Sequence, residues 1–192
     1  EIRFNNTNIM FQRLSFVGEL GWEIYIPIGI SREIYLKLVE YGKKYNLVHA
    51  GGHALDIMRM EKGYLHWGHD ISPAENPYEA GLEFTVKLNK QIDFIGKEAL
   101  KTKNRKKKKQ LTNFVLDKSK PGAPLLLHDE PIYYKGKIVG ETTSSNYSFY
   151  YDKSMIFGYI DSEIDLKNLN GGTFEVEVAK CKYTMSIQYE AL

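Results

Sequence analysis

A single cysteine, Cys181, stands among 192 residues, so no internal disulfide can form and a disulfide-stapled scaffold is excluded. Structural zinc loses its usual thiolates as well. The histidines His49, His53, His66 and His69 come without acids at metal-ligand spacing, and no metal site is expected. His66 and His69 sit at i,i+3 in HWGHD, a chelating spacing on a helix, but Gly68 between them argues for a loop. No run of about 18 apolar residues occurs, which leaves no candidate membrane-spanning helix. The first residues, EIRFNNTN, have neither the basic start nor the apolar core of a secretory signal, so the chain reads as intracellular and cytoplasmic.

An excess of one charge is also lacking, with 26 Lys and Arg against 24 Asp and Glu. The local exception is KTKNRKKKK at 101–109. Nucleic-acid binding by such a run normally adds stacking aromatics or a recognisable module, and no aromatic is interleaved here. The run reads as a solvent-facing connector, with no nucleic-acid partner.

What is present is enough apolar material, 43% of residues, to bury one or two cores. The basic run divides two stretches of different character, placing a boundary between 102 and 111 and giving regions 1–102 and 111–192. In the first, Ser31 is the expected N-cap of REIYLKLVEYGKKY, with Ile34, Leu38 and Tyr41 on one helical face. A second helix is expected over 52–62, stopped by Gly63. Strands are expected in FQRLSF, in WEIYI, and at 82–88, where Leu82, Phe84, Val86 and Leu88 alternate with polar residues. After the boundary, helix signals vanish. NFVLD, PIYYKGKIVGETTS, KSMIFGYI, TFEVEV and YTMSIQY read as short strands, with Lys135-Gly136 a hairpin turn and Gly171-Gly172 opening another strand. Such a series predicts a small closed β-barrel without long helices, and the whole an α+β protein.

The stretch SFVGELGWEIYI places Glu23 in a strand pattern whose other face is Trp22, Ile24 and Ile26, just after Gly18 and Gly21. An acid so placed is either a solvated strand residue or a fixed ligand for paired donors. Taken in order, SFVGELGWEIYI, ALDIMRMEKGYLHWGHDISPAENPYEAGLEFTVKL, FIGKEAL, EPIYYKGKIVGETTSSNY and SMIFGYI resemble the C-terminal half of the glycine cleavage T-protein (aminomethyltransferase) family. Within that family the resemblance is to the folate domain at the tail of dimethylglycine and sarcosine dehydrogenases, and it covers nearly the whole chain.

The resemblance implies a ferredoxin-like α+β region followed by a C-terminal β-barrel. It implies tetrahydrofolate as cofactor and transfer of a one-carbon unit to it, giving 5,10-methylenetetrahydrofolate. Glu23 stands at the family's pterin-facing acid. A carboxylate matches the ring N–H and exocyclic amino group of a pterin edge, and Gly18 and Gly21 would allow close approach. Phe16 stands where the family usually has a tyrosine near the folate, and Tyr64 where members place an aromatic near the ligand, with a core role equally open. The family's folate-reaching arginine is replaced by Leu55. Arg59, a turn later, reads as a packing or ion-pair residue with Asp56 or Glu61.

The family's catalytic aspartate belongs to its N-terminal half, so none of this chain's residues is assigned a catalytic role. The expected partners are a reduced folate and an N-terminal half or partner subunit, with exposed apolar surface where that partner docks. The chain would then be a truncated protein or one subunit of a split enzyme. Whether it is an enzyme stays open, because a non-catalytic regulatory or interaction subunit that keeps the fold is the alternative. A tRNA-modifying relative fits less well, since KGYLHWG replaces the KGCY motif of such proteins.

Overall fold

Strand pairing and helix packing divide the chain into two units, Glu1–Lys62 and Gly63–Leu192. The computed structural model describes residues 2–4, 6–102, 107–169 and 171–189. In the first unit, β1 (Ile2–Phe4), β2 (Thr7–Gln12) and β3 (Glu23–Tyr25) form an antiparallel sheet in the order β1-β2-β3. Two helices follow, α1 (Ile28–Gly42) and α2 (Gly52–Glu61). Ile9, Ile34, Ile57 and Met60 are its buried apolar residues.

Three details differ from the sequence expectation. The strand expected over FQRLSF ends at Gln12, because β3 supplies pairing partners only for Met10, Phe11 and Gln12, and an unpaired backbone gains nothing from staying extended. Helix α1 begins at Ile28 behind Pro27, so Ser31 lies inside the first turns and its hydroxyl donates to the Ile28 carbonyl at 2.8 Å. Proline's fixed φ suits it to that helix entry. Of the expected apolar face of α1, only Ile34 is buried, while Leu38 and Tyr41 are exposed. Helix α2 matches its expected span, and Gly63, at φ +71°, follows it.

The second unit holds a closed six-stranded barrel. Its strands are β4 (Lys109–Leu116), β5 (Pro131–Tyr134), β6 (Lys137–Ser148), β7 (Lys153–Asp161), β8 (Phe174–Val178) and β9 (Cys181–Gln188). The order around the barrel is β4-β7-β6-β5-β8-β9, and β4 pairs with both β7 and β9. Closure leaves no edge strand. Phe114, Leu116, Ile132, Ile156, Ile160, Phe174, Val176 and Met185 fill the interior, with the rings of Phe114 and Phe174 5.1 Å apart. The expected hairpin is formed at Lys135 (φ +50°) and Gly136 (φ +76°), the pair of positive φ values that matches the twist of its flanking strands. Gly140 is required by close approach, since a Cβ there would lie 1.8 Å from the Tyr159 carbonyl oxygen. The α+β class and the barrel are therefore as the sequence implied.

Ahead of the barrel lie a short 3₁₀ turn at Glu83–Thr85 and helix α3 (Lys97–Thr102). The strand expected at 82–88 is absent: among the described residues no strand lies alongside it. Its backbone closes on itself instead, with Thr85 N–H donating to the Leu82 carbonyl and Val86 N–H to that of Glu83, both at 3.0 Å. Residues 103–106 of the basic run lie outside the described residues. Its last members are engaged rather than free, because Lys109 opens β4 and pairs with Glu75 at 2.6 Å, and Lys107 lies 3.7 Å from Glu83.

Candidate functional site

Glu23 is the first residue of β3 and pairs directly with Gln12 of β2, as Tyr25 does with Met10. Side chains alternate across a strand, so Met10, Gln12, Glu23 and Tyr25 share one face, opposite Ile9, Phe11 and Ile24. Ile9 is buried and Ile24 half-buried, whereas Glu23 and Tyr25 are exposed. Ile26 is half-buried like Ile24, but Trp22 is 58% exposed and does not join an apolar face.

The Glu23 carboxylate is held from its own strand. The Tyr25 hydroxyl donates to Glu23 Oε2 at 2.5 Å and lies 3.4 Å from Gln12 Oε1. This bond to Glu23 raises the Tyr25 pKa above its ordinary value, helped by partial desolvation and the negative charge, so the hydroxyl stays a donor. A carboxylate offers roughly four acceptor positions. One bond to Tyr25 therefore leaves capacity for a ligand with two parallel N–H groups.

Phe16 lies half-buried in the connection 13–22 that leads into β3. Gly18 in the same connection has φ +73°, and a Cβ there would meet the Lys62 stem at 2.2 Å from Cγ. The space over Gly18 is thus filled by the aliphatic part of Lys62, not left open to a ligand. A Cβ at Gly21 would come 3.2 Å from that of Ser15. Phe16 and Glu23 belong to the first unit, while Tyr64, 40% exposed, belongs to the second. Arg59 is 1% exposed, and its Nε and Nη2 reach Asp56 Oδ1 at 2.9 and 2.8 Å. Of the two partners read from sequence, Asp56 is confirmed. Leu55, at the family's arginine position, is exposed.

The second unit buries acids that the sequence reading did not place. Asp70 is fully buried; its Oδ2 accepts the His66 N–H at 2.8 Å and its Oδ1 the Thr143 hydroxyl at 2.6 Å. The Tyr159 hydroxyl donates to the Asp70 carbonyl at 2.9 Å. Burial pushes the Tyr159 pKa well above its usual range, with the charges of Glu75, Asp70 and Glu79 adding to it. Glu79 Oε1 accepts the Lys108 N–H at 3.1 Å, and its carbonyl accepts the Leu111 N–H at 2.9 Å. Glu75 Oε2 accepts both the N–H and the hydroxyl of Ser72. A readable signal was present: SPAE and NPYE are successive capping-box patterns, in which the acid reaches back to the N–H three residues earlier.

These acids tie the segment 66–80 to the barrel, and each carboxylate is committed to that task. The rings of His66 and His69 lie tilted, 4.6 Å apart, in a turn rather than on a helix, and that of His128 lies 6.1 Å from His69. Among the described residues no group of His, Cys, Asp and Glu could hold a metal ion. Two cavities of the second unit, about 310 and 380 Å³, are lined by residues between Tyr78 and Phe94 and include none of the sequence-predicted site residues.

Comparison with known proteins follows the same division. Residues 1–90 match the family model described as GCVT N-terminal domain, and residues 109–191 that of the glycine cleavage T-protein C-terminal barrel domain. The mouse (Mus musculus) mitochondrial dimethylglycine dehydrogenase is 38% identical over 183 residues, covering 94% of this chain and 20% of that protein. The mouse mitochondrial pyruvate dehydrogenase phosphatase regulatory subunit is 35% identical over 182 residues, covering 89% of this chain and 21% of that one. The chain spans about a fifth of the length of these curated relatives. The crystal structure of the glycine cleavage system aminomethyltransferase T from Bartonella henselae superposes with a TM-score of 0.77 at 23% identity, covering 94% of this chain and 48% of that one. That last likeness speaks for the fold.

Proposed function

The chain belongs to the glycine cleavage T-protein family, and from that premise we propose that it forms part of a tetrahydrofolate-binding site for one-carbon transfer, with Glu23 as the anchor for the pterin. The observation that carries this reading is the exposed Glu23 carboxylate on a paired strand, held by Tyr25 with acceptor capacity to spare. Tetrahydrofolate, when bound, supplies the nitrogens that accept a one-carbon unit from an aminomethyl or N-methyl-derived donor, leaving as 5,10-methylenetetrahydrofolate.

The residues of this chain bind and orient. Glu23 accepts the ring N–H and the amino group of the pterin, and Phe16 offers an apolar wall beside it; the aromatic ring of Tyr64 stays with the ligand or core role that the resemblance leaves open. In this reading the region 1–102 carries the ligand contacts and the region 111–192 closes the barrel. A general base is not drawn from Asp70 or Glu79, whose carboxylates already hold the segment 66–80. The reading therefore includes an N-terminal half or partner subunit as the source of that group. The exposed Leu38 and Tyr41 of α1 support it, being apolar surface without cover. A cytoplasmic location is part of the same proposal, although both curated relatives above are named as mitochondrial proteins.

The test is Glu23→Gln, with calorimetric titration by a reduced folate of the full-length protein together with its N-terminal half or partner subunit. Gln keeps the shape but sets an NH₂ against a pterin donor. The loss of a charge-assisted bond with a donor left unpaired costs about 2–4 kcal/mol, or roughly thirty- to several-hundred-fold in affinity. Equal affinities for the two proteins would return Glu23 to a solvated strand position. A regulatory or interaction subunit is the second reading, favoured by the likeness to the phosphatase regulatory subunit and by the commitment of Asp70 and Glu79 to structure. Folate binding without one-carbon transfer, in the presence of any partner, would decide for it.

A further inference from the structure

We propose that Tyr25 is a positioning residue that fixes the Glu23 carboxylate for its ligand, an inference that rests on the folate-binding reading above. Strand period places Tyr25 on the same face as Glu23, two residues on. Its hydroxyl sits 2.5 Å from Glu23 Oε2 but 3.4 Å from Gln12 Oε1. The single hydroxyl proton goes to the nearer, ionised acceptor, because charge-assisted bonds are the shorter and stronger ones.

A glutamate on an exposed strand otherwise samples several rotamers, and a bidentate grip on two parallel donors needs one of them. Ordering such a side chain on binding costs affinity, and a bond that orders it beforehand removes that cost. Tyr25 is rooted well enough to act this way. Its backbone is paired with Met10 in the ladder, and its raised pKa keeps the proton on the hydroxyl.

The same bond decides how Glu23→Gln fails. With Tyr25 present, the amide oxygen of the new side chain turns to the Tyr25 hydroxyl, and the NH₂ is left facing the donors of the ligand. With Tyr25→Phe, the amide is released and can flip to present its oxygen. The two substitutions are therefore coupled, and the double variant binds no more weakly than Glu23→Gln alone.

The experiment is a double-mutant cycle on the full-length protein together with its N-terminal half or partner subunit, read by calorimetric titration with tetrahydrofolate, with a melting curve for each variant. Tyr25→Phe is expected to weaken binding about three- to ten-fold with an unchanged melting temperature, and the double variant to show strong sub-additivity. An unchanged affinity for Tyr25→Phe, or strictly additive losses, would overturn the positioning role while leaving the folate reading in place, provided Glu23→Gln still loses affinity. A fall in melting temperature that accounts for the whole loss would overturn it as well. Failure of the wild-type protein to bind tetrahydrofolate would overturn the proposed function, and this inference with it.

Discussion

Replacing Asp70 with alanine is expected to destabilise the second unit by about 2–4 kcal/mol. The carboxylate is fully buried and accepts the His66 N–H at 2.8 Å and the Thr143 hydroxyl at 2.6 Å. A hydrogen bond to a charged group contributes roughly 1.5–3 kcal/mol, and a buried donor left unpaired costs about 1–3 kcal/mol. The two losses do not add in full. The Thr143 hydroxyl keeps a weak alternative in the Phe157 carbonyl at 3.4 Å, and the His66 bond is only partly buried. Urea unfolding measures the change, and the fluorescence of Trp67, in the turn that Asp70 organises, reports whether the segment 66–80 loosens first. At roughly 2–4 °C per kcal/mol, a drop of about 4–16 °C in melting temperature should accompany it. Thr143→Val should cost about 1–3 kcal/mol alone and little more on top of Asp70→Ala. A loss below about 0.5 kcal/mol for Asp70→Ala, the usual range of surface substitutions, would refute the view that this acid is a structural anchor.

Lys109→Met is expected to make the second unit less stable at neutral pH and to flatten its acid sensitivity. Burial raises the Glu75 carboxyl, but the Lys109 ammonium 2.6 Å away and the Ser72 donors outweigh it, so its pKa lies below the ordinary 4.5. A depressed folded pKa means stability that is fully present above the unfolded value and is lost as pH falls through the folded one. Unfolding free energies measured from pH 7 down to pH 3 should show this slope in the wild type and less of it in the variant. Lys135→Asn should stabilise the β5–β6 hairpin by about 0.5–1 kcal/mol, because lysine is held there at φ +50° and asparagine tolerates that region better; thermal melts check it. Gly140→Ala should cost several kcal/mol or prevent barrel closure, since the new Cβ would lie 1.8 Å from a backbone oxygen of β7; a folded barrel of wild-type stability, seen by circular dichroism and melting, would contradict it.

The barrel was legible in the sequence because alternation and turn chemistry are local properties. Lys135-Gly136 dictates a tight hairpin whatever surrounds it, and runs such as FEVEV expose one face only if they pair as strands. Helix α2 was legible for the same reason, from its period and the glycine behind it. The segment 82–88 shows the limit of such reading. Its alternation is as good as that of FEVEV, yet it forms a 3₁₀ turn, because a strand exists only where a second strand lies alongside to take its hydrogen bonds. The exposed Leu38 and Tyr41 of α1 make the same point, since helical period shows which side is apolar and not whether anything covers it.

For the candidate site, the sequence alone determined that Glu23 stands in a strand after a glycine-rich connection, and by its resemblance which ligand to consider. Tyr25, two residues on in the same strand, was not singled out by that reading. Only the tertiary structure decided that the Tyr25 hydroxyl closes on the carboxylate at 2.5 Å, that Lys62 fills the space over Gly18, and that Asp70 is sealed against Thr143 of the barrel, 73 positions further along the chain. The physical reason is one of range. Propensity, period and turn geometry act between near neighbours in the chain, whereas a hydrogen bond or a packed side chain depends on distances that only the completed fold sets.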